Sequence, residues 1–525
     1  MTAKFSRNYT GSRKWIVKRH DEEAIKQISS KFNVSPVTAL FLLSRNITDE
    51  KKINFYKTVH YTKNISPLKD TSLVEKTVTR IIEALKKGEK IIVYGDYDVD
   101  GITSITIFIK ALNALSQILN NSKGGIIPLL PHRIKDGYGI TPRLLEEVRN
   151  NKATLLITFD CGIKDPHNTL EKIQNEGCDV IVVDHHISSS PPPVKFLFSP
   201  TPSSSPFADN LLSAGAASLR LVEQLFIKAR EEYSLQNNKE KELHKLFNNL
   251  NILASFSVIS DIVPLTGDNF LIAKRGIQRL NTLLKNNGTD LLIPGIKALI
   301  EVAGISSYHI TEHEILFYLA PRINAASRID TATRALQLFL TSDEQEAREL
   351  ARKLNDYNKE RQELQKQAEQ EALEQLSSIK PKDSRIIVLH GEKWHKGIIG
   401  IIASKIMEIT YRPSIVICGE EGILSGSGRS IPSINIIEIL DLLNKSDDSL
   451  LETYGGHKYA CGLKIKKENI NKFKEKINEL IQEITSQDHF IPHIHADGCV
   501  SLSSINIQTA QELAEFGPYG PEHEK

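Results

Sequence analysis

The hydrophobic pattern of residues 76–261 alternates short apolar runs with stretches typical of helices. Four runs rich in β-branched residues, at 91–93, 125–130, 154–158 and 180–183, each end in a polar or glycine-containing loop. This alternation predicts βαβ units around a parallel sheet. In such sheets, ligands bind at the carboxyl ends of the strands. A functional site is therefore expected where these runs end.

A helical pattern follows in residues 343–376, where strong helix formers predominate and apolar residues recur at three-, four- and seven-residue intervals. One helix of about 35 residues would span roughly 50 Å, long enough to connect two lobes. Apolar runs at 385–389 and 413–417 then begin a second α/β pattern, which ends near residue 487. Residues 488–525 are interpreted as the start of a further domain that the sequence does not complete.

Composition indicates a folded protein with several domains and little net charge. The chain has 525 residues, of which 40% are hydrophobic and 25% charged, as expected of a folded protein with several domains. A net charge of +2 gives no global basic field for nucleic acid. The first 66 residues carry 13 basic and 5 acidic residues. A solvated basic lobe and a DNA-facing surface explain that excess equally well.

Cysteine usage and the absence of long apolar runs indicate the compartment. The five cysteines contain no CxxC pair, which argues against structural disulfides and thiolate zinc. No apolar run approaches the roughly 18 residues of a membrane helix, and the N-terminus lacks an apolar targeting region. We predict a cytoplasmic protein without membrane association.

Three carboxylates follow the first apolar run, in the stretch GDYDVDG that contains Asp96, Asp98 and Asp100. Carboxylates that converge raise one another's pKa unless a cation lies among them. Oxygen ligands suit Mg²⁺ or Mn²⁺. The alternative is that these aspartates cap the following helix. This stretch alone does not decide between the two.

Three further segments place acidic side chains after apolar runs: FDCGI with Asp160, VVDHH with Asp184, His185 and His186, and VISDI with Asp261. Single histidines here would be ordinary surface residues. Four acidic strand ends together predict a two-metal centre, and imidazole beside carboxylate favours Mn²⁺. Two such ions about 4 Å apart catalyse phosphoryl displacement, so hydrolysis of a phosphoester or phosphoanhydride is expected.

The order GDYDVDG, FDCGI, VVDHH and SDIVPL resembles the four acidic motifs of the DHH phosphoesterases, and of their RecJ branch in particular, which degrades single-stranded DNA from the 5′ end. Similarity covers roughly residues 94–522. It includes Arg133 with GYG, then APRINAASR, WHKGIIG, SGSGRS and GGH. The resemblance implies an α/β fold in which a long helix joins a parallel-sheet DHH domain to an α/β DHH-associated domain, followed by the start of an oligonucleotide-binding (OB) β-barrel. The expected boundaries are 1–75 for a basic helical segment, 76–340 for the DHH domain, 341–379 for the helix, 380–490 for the DHH-associated domain and 491–525 for the partial barrel.

The resemblance also implies roles for individual residues. The metal ligands would be Asp96, Asp98, Asp100, Asp160, His185 and Asp261. In catalysis, Asp184 would orient its neighbouring histidine, His186 would act at the scissile phosphate or leaving oxygen, and Asp160 would take part. The residues expected to hold DNA are Arg133, Arg322, Asn324, Arg328, Ser427, Arg429, Ser430 and His457. Surface or interdomain salt bridges are the alternative for the arginines.

Three departures from the family pattern adjoin these motifs. Ser327 replaces a usual glycine, Lys396 replaces a usual proline, and the stretch before Asp261 reads SVIS instead of the usual GTIA. None removes an expected ligand, so they concern loop geometry more than activity.

The resemblance implies a 5′→3′ exonuclease specific for single-stranded DNA that uses two Mn²⁺ or Mg²⁺ ions in DNA repair and recombination. A single-strand-binding protein and a RecQ-type helicase are the implied protein partners, and the protein is expected to be a monomer. One alternative is a DHH enzyme acting on small phosphates or short oligonucleotides, which would share every metal ligand. Another is a non-catalytic replication scaffold, which would be expected to have lost acidic ligands.

Overall fold

A computed structural model describes residues 13–58, 60–119, 124–188, 190–200, 207, 211–233, 237–286, 288–306, 309–379 and 384–524. The first 12 residues of the predicted basic segment and residues 380–383 of the predicted DHH-associated domain lie outside the described residues. In the described part, the strands are β1 Lys14–Val17, β2 Ile91–Gly95, β3 Ile126–Leu129, β4 Leu155–Phe159, β5 Asp179–Val183, β6 Phe196–Phe198, β7 Ile387–Gly391, β8 Ser414–Cys418, β9 Ile423–Arg429, β10 Thr453–His457, β11 Ala460–Lys466 and β12 His493–Ala496.

The α-helices of the same residues are α1 Glu22–Phe32, α2 Pro36–Ser44, α3 Glu50–Lys57, α4 Tyr61–Asn64, α5 Thr71–Lys87, α6 Val99–Ile118, α7 Pro142–Asn151, α8 Thr169–Asn175, α9 Ala214–Tyr233, α10 Asn237–Asp261, α11 Gly267–Lys285, α12 Pro294–Val302, α13 Glu312–Glu314, α14 Ala320–Ile329, α15 Thr333–Leu340, α16 Glu344–Ser377, α17 Ile399–Thr410, α18 Ile436–Ser446, α19 Ile470–Ile484 and α20 Ile507–Ala514. The chain divides into two compact units. The first, called unit A, contains the described residues up to Thr48 and Lys359–Thr509; unit B contains Asp49–Asn358 and the described residues from Ala510.

Unit B is built on the parallel sheet that the apolar runs predict. Its strand order is β3-β2-β4-β5-β6, and every pairing is parallel. Residues of β2, β4 and β5 are almost all buried, because helices cover both faces of a parallel sheet. Ile91 and Val93 enter one core, whereas Ile92 and Tyr94 enter the core on the opposite face. The sheet therefore brings the carboxyl ends of neighbouring strands to one edge, where the acidic motifs follow.

Helix α6 is the principal core helix of unit B. By length and composition alone, it is the one helix of the described residues that could cross a membrane, but 67% of its most apolar window is buried inside the protein. Its buried residues include Phe108 and Leu112, which belong to the same core as Ile91. The apolar character of α6 thus reflects its place in the core.

One predicted element is wrong. The run before Asp261 was expected to be a strand, yet it forms the last turns of α10, a helix of 25 residues. Short apolar runs do not distinguish a strand from a buried helix by periodicity. Here the helix continues from Asn237 through a buried stretch that contains Leu250, Leu253 and Phe256, and those long-range contacts decide the conformation.

Unit A contains a mixed sheet with the order β10-β11-β9-β8-β7. The β7–β8 pair is parallel and the other pairs are antiparallel. Ile415 and Leu463 face a core with helices α18 and α19, whereas Val416 packs with α17 on the opposite face. This is the second α/β pattern that the sequence predicts.

The described residues at 491–524 form no OB barrel. Strand β12 pairs in parallel with β1 in a two-stranded sheet of unit A, and α20 follows it. In unit B, the backbone nitrogen of Leu265 donates to the carbonyl of Pro521 at 2.8 Å. Lys274 Nζ donates to the carbonyls of Glu515 and Gly517 at 2.5 and 2.9 Å. The described residues from Ala510 onward therefore pack against the rest of unit B, near the loop that follows Asp261.

Candidate metal centre and phosphate-binding face

Acidic residues follow three adjacent strands of the parallel sheet. Asp96 comes directly after β2, Asp160 after β4 and Asp184 after β5, and all three are buried. Asp261 reaches the same place from the end of α10. The predicted convergence of acidic motifs therefore occurs, with a helix supplying the fourth.

The imidazole of His185 lies at the centre of this group. Its Nε2 is 3.1 Å from Asp160 Oδ1, 3.4 Å from Asp261 Oδ2 and 3.8 Å from Asp100 Oδ2. Three carboxylates from different parts of the chain thus surround one ring nitrogen. Burial lowers the pKa of His185, which favours the neutral ring that can ligate a metal.

The carboxylates of Asp98 and Asp100 accept hydrogen bonds from different parts of the chain. Asp98 Oδ1 accepts from the backbone nitrogens of Asp100 and Gly101, so Asp98 caps the N-terminus of α6. Asp100 accepts from the backbone nitrogens of Ala214 and Gly215, both at 2.9 Å, and from Ser257 Oγ at 2.5 Å. The capping interpretation is therefore correct for Asp98, and it does not exclude a metal, because a carboxylate has further lone pairs.

The donor set and its electrostatics fit a hard divalent cation. Potential ligand atoms lie within 4.8 Å of one another in three overlapping groups: Asp160, His185 and His186; Asp100, His185 and Asp261; and Asp96, Asp98 and Asp160. Asp96 Oδ1 is buried and has no hydrogen-bond partner. Burial, together with neighbouring carboxylates, raises the pKa of Asp96, Asp98, Asp160 and Asp261. A cation would offset both the burial and the repulsion.

Asp184 holds the second histidine of the motif. Its Oδ1 lies 2.7 Å from His186 Nδ1, and its Oδ2 accepts from the backbone nitrogen of Ile163 at 2.9 Å. Burial alone would raise the pKa of Asp184, but the hydrogen bond with His186 holds it below its usual range. The same bond raises the pKa of His186 although burial opposes it. Asp184 therefore fixes the orientation of the His186 ring.

Sequence reasoning missed Tyr138 as a residue of this site. Its hydroxyl lies 3.2 Å from His186 Nδ1 and 3.3 Å from His186 Nε2, and it donates to the carbonyl of Asp160 at 3.2 Å. The available signal was its place in the GYG stretch that accompanies Arg133. Ser257 was noted only as a departure from the family pattern, yet its hydroxyl binds Asp100.

The backbone around the ligands is constrained. Asp160 and Ile262, which follows Asp261, both have φ of 60°, in the left-handed region that non-glycine residues rarely adopt. A Cβ on Gly101 would collide with the carbonyl of Asp96, and one on Gly215 would collide with Ser257 Oγ. The two glycines therefore let the chain approach the acidic side chains closely. Backbone outliers of this kind cluster at functional sites.

Among the predicted DNA-binding residues of unit B, the charges of Arg133 and Arg328 act on residues of the acidic GDYDVDG stretch. The Arg133 guanidinium carbon lies 4.8 Å from the ring centroid of Tyr97, and its charge opposes part of the rise that burial causes in the pKa of Asp96. Burial raises the pKa of Tyr97, and the charges of Arg133 and Arg328 oppose that rise. The charges of Arg133 and Arg328 therefore lie close enough to the GDYDVDG stretch to affect the pKa of Tyr97.

Asn324 and Arg322 make internal contacts. Asn324 Oδ1 accepts from the backbone nitrogen of Val99 at 3.1 Å, at the first turn of α6. Arg322 donates to Asn355 Oδ1 at 3.0 Å and to the carbonyl of Tyr318 at 2.6 Å. The structure therefore gives Asn324 a contact that positions the acidic turn.

In unit A, three predicted residues share one sheet face. By strand register, Arg429 lies opposite Ala460, which lies opposite His457, and Ser427 lies opposite Gly462. Space around Gly455 and Gly462 is open on this face. We call the part of the sheet formed by Ser427, Arg429, Ala460, Gly462 and His457 the open face.

The first turn of α17 adjoins the open face, because a Cβ on Gly400 would lie 3.1 Å from Ser427 Oγ and 3.2 Å from an Arg429 guanidinium nitrogen. Helix N-termini and guanidinium groups both favour phosphate. Ser430 is buried, and its hydroxyl donates to the carbonyl of Ile434 at 2.8 Å, so it does not reach this face.

Family models match both units. Residues 90–248 match the model described as "DHH family, N-terminal domain", and residues 383–483 match the "DHHA1 domain". The chain is 30% identical to the single-stranded-DNA-specific exonuclease RecJ of Escherichia coli strain K12, over 87% of this chain and 78% of that protein. This chain belongs to the RecJ family.

A second RecJ, from Bacillus subtilis strain 168, is 30% identical over 97% of this chain and 60% of its own length. Thus the chain spans 60% of the length of the Bacillus subtilis relative and 78% of the length of the Escherichia coli relative. The Thermus thermophilus RecJ structure in complex with Mn²⁺ is similar with a TM-score of 0.77, 26% identity, and coverage of 97% and 68% of the two chains. Its Mg²⁺ complex gives a TM-score of 0.71 at 25% identity, with coverage of 97% and 67%. The family and the donor set therefore agree on a DHH metal site.

Proposed function

We propose that this RecJ homologue is a metal-dependent exonuclease that hydrolyses single-stranded DNA in the 5′→3′ direction. The observation that carries the proposal is the buried acidic group around His185, in which Asp160 and Asp261 lie 3.1 and 3.4 Å from one imidazole nitrogen. Related RecJ structures contain Mn²⁺ or Mg²⁺. We propose two such ions, since one pair of ligand groups shares His185 and another pair shares Asp160.

In this proposal, the ions would be held by Asp96, Asp98, Asp100, Asp160, His185 and Asp261. Bound ions of this kind supply Lewis acidity and an activated water for phosphodiester hydrolysis. Asp100 is kept in place by the first backbone amides of α9 and by Ser257, so its orientation does not depend on a ligand. Asp98 is held likewise by the first turn of α6.

His186 would contact the scissile phosphate or the leaving oxygen. Asp184 binds its Nδ1, so Nε2, which lies 3.3 Å from the Tyr138 hydroxyl, would exchange a proton or a hydrogen bond with the substrate. Tyr138 lies beside the same ring and restricts its rotation. Both residues act by positioning His186.

DNA would be held by two groups of residues. Arg133 and Arg328 would contact the backbone near the acidic group, and Arg322 and Asn324 would support them. Ser427, Arg429 and His457 on the open face would bind the 5′ end, with Ser430 holding the strand end that carries Arg429. Bidentate guanidinium donors suit phosphate oxygens, which supports this assignment for the arginines.

Broader features belong to the same proposal. We propose a cytoplasmic monomer that acts in repair and recombination with a single-strand-binding protein and a RecQ-type helicase. We keep the division at 1–75, 76–340, 341–379, 380–490 and 491–525. These features rest on family resemblance.

The test is hydrolysis of 5′-labelled and 3′-labelled single-stranded DNA with Mn²⁺ or Mg²⁺, beside matched duplex and an Asp160→Ala control. We expect early release of the 5′ label from single strands only, and none in the control. Early release of the 3′ label, or equal cleavage of duplex, would refute the polarity or the strand selectivity. Cleavage of a dinucleotide or of pyrophosphate while long DNA stays intact would assign a small phosphate as substrate.

A further inference from the structure

The N-terminal strand of unit A exposes an aromatic side chain among basic residues. Strand β1 pairs only with β12 among the described strands, and all four of its residues are exposed. Trp15 has 64% of its surface exposed, and Val17 has 41%. The chain has only two tryptophans, and the other, Trp394, is buried. An exposed tryptophan on a two-stranded sheet requires an explanation, because its ring is largely apolar.

Strand register divides this small sheet into two different faces. Trp15 lies opposite Ile494 and Val17 lies opposite Ala496, so these four residues share one face. Lys14 and Ile16 lie opposite His493 and His495 on the other. We call the first set, Trp15, Val17, Ile494 and Ala496, the tryptophan face.

Residues within and directly after the strand are mostly basic. Residues 13–20 read RKWIVKRH and contain four Lys or Arg residues and no acidic residue. In the partner strand and its continuation, Asp497 is bound by Arg45 at 2.6 Å and by Lys18 at 3.3 Å. Lys14 and Arg19 are exposed at the two ends of the strand. An anion that carries flat apolar rings would therefore match both the charge and the aromatic surface.

We propose that the tryptophan face is a binding subsite for single-stranded nucleic acid, in which Trp15 stacks on one base while Arg19, two residues beyond the strand, contacts an adjoining phosphate. Single strands are bound in this way, by basic surfaces with exposed aromatic rings, without a need for a particular sequence. A protein interface is the poorer match, since the centres of such interfaces are depleted in lysine and other charged residues. The choice of single-stranded nucleic acid as the ligand rests on the proposed function. The aromatic and basic character of the surface is independent of that function.

Tryptophan fluorescence tests the subsite directly. The protein would be titrated with oligothymidylate in EDTA, so that binding is measured without hydrolysis. We expect saturable quenching, because stacking brings a base against the Trp15 ring, whereas Trp394 is buried with its Nε1 bound to Glu371. Trp15→Ala should abolish the quenching, and its Kd, measured by the fluorescence anisotropy of end-labelled oligothymidylate in EDTA, should rise on the order of tenfold. Ile16→Ala, on the same strand but the opposite face, is the matched control and should bind like the wild type.

The salt dependence of binding tests the charged part of the subsite. Replacing Arg19 with glutamine should reduce the slope of log Kd against log salt by roughly 0.7, because each phosphate neutralised on a single strand contributes about that much. The proposal is overturned by unchanged affinity of Trp15→Ala, or by equal quenching with duplex. Quenching that depends on protein concentration instead of DNA would identify an interface between two copies of the chain, and would also overturn it.

Failure of the subsite and failure of the proposed function are distinguishable. A protein that binds oligothymidylate through Trp15 but hydrolyses nothing with Mn²⁺ would keep the subsite and refute the nuclease. Hydrolysis of single strands that is normal in Trp15→Ala, with unchanged Kd, would keep the nuclease and refute the subsite.

Discussion

Asp160 illustrates how single residues create the acidic group. It follows a buried strand, adopts φ of 60°, and lies 3.1 Å from His185. The left-handed backbone turns the chain sharply at the strand end. Its carboxylate therefore takes part in two of the three potential ligand groups.

Asp160→Asn tests the electrostatics of the group. Because burial and neighbouring carboxylates raise the pKa of Asp160, a neutral amide relieves repulsion in the metal-free protein. We expect the melting temperature in EDTA to stay the same or rise. Saturating Mn²⁺ should raise it less than in the wild type, where a ligand at 100 times its Kd stabilises by about 2.7 kcal/mol. Scanning calorimetry with and without Mn²⁺ measures both.

Glu363→Gln, on an exposed position of α16, is the control for loss of one negative charge. A clear drop in the melting temperature of Asp160→Asn in EDTA, or an unchanged response to Mn²⁺, would contradict the prediction.

Tyr138→Phe tests the residue that sequence reasoning missed. The change removes the hydroxyl that lies 3.2 Å from His186 Nδ1 and leaves the ring. We expect kcat to fall about tenfold, the effect of one hydrogen bond to an ionisable group, while the Mn²⁺-induced shift in melting temperature is kept. Tyr454→Phe, which removes a hydroxyl bonded to Asp441 in unit A, should have normal activity. Activity of Tyr138→Phe within twofold of the wild type would exclude a role for this hydroxyl.

At the scale of elements, helix N-termini support the acidic group. The backbone amides that begin α9 bind both oxygens of Asp100, and the first turn of α6 binds Asp98. Helix N-termini carry partial positive charge, which stabilises carboxylates placed there. Two helices and three strands therefore hold the acidic residues close together despite their repulsion.

Gly215→Ala tests the contact between α9 and α10. A Cβ at this position would collide with Ser257, whose hydroxyl binds Asp100. Overpacking of a buried contact costs about 1–3 kcal/mol, so we expect a corresponding loss in the free energy of unfolding by urea. The Mn²⁺ affinity should also fall, since Asp100 must move.

Gly125→Ala is the matched control, because a Cβ there meets nothing within 4 Å. It should unfold at the same urea concentration as the wild type. Equal stability of Gly215→Ala would show that α9 and α10 can separate without cost.

At the scale of the whole molecule, the candidate metal ligands and the open face lie in different units. The acidic group lies entirely in unit B, and the open face with Arg429 lies entirely in unit A. With a net charge of only +2, the protein has no global basic field, so the proposed DNA binding would depend on local arginines. Metal binding and DNA binding should therefore be separable by mutation.

Arg429→Gln tests this separation. Loss of the proposed Arg429–phosphate contact should raise KM for long single-stranded DNA about tenfold, with a smaller change in kcat. The Mn²⁺-induced rise in melting temperature should not change. Lys445→Gln, on an exposed position of α18, the helix that covers the opposite face of the sheet, is the control and should leave KM unaltered. An unchanged KM, or the absence of a response to Mn²⁺, would contradict the separation.

The sequence by itself determined the parallel sheet, the long helix and the chemical type of the site. Apolar runs of β-branched residues predict strands, and strand ends in a parallel sheet share one edge, so Asp96, Asp160 and Asp184 could be brought together by reasoning alone. The side chains themselves fix the chemistry, because clustered carboxylates and imidazole favour a divalent cation.

Only the tertiary structure decided which local conformation each motif adopts. Asp261 ends a helix because α10 is buried along much of its length, and no local pattern reports that burial. Asn324 binds the backbone of Val99, and Tyr138 reaches His186 across 48 residues of sequence. These contacts join segments that are distant in the chain, and packing of the core selects them.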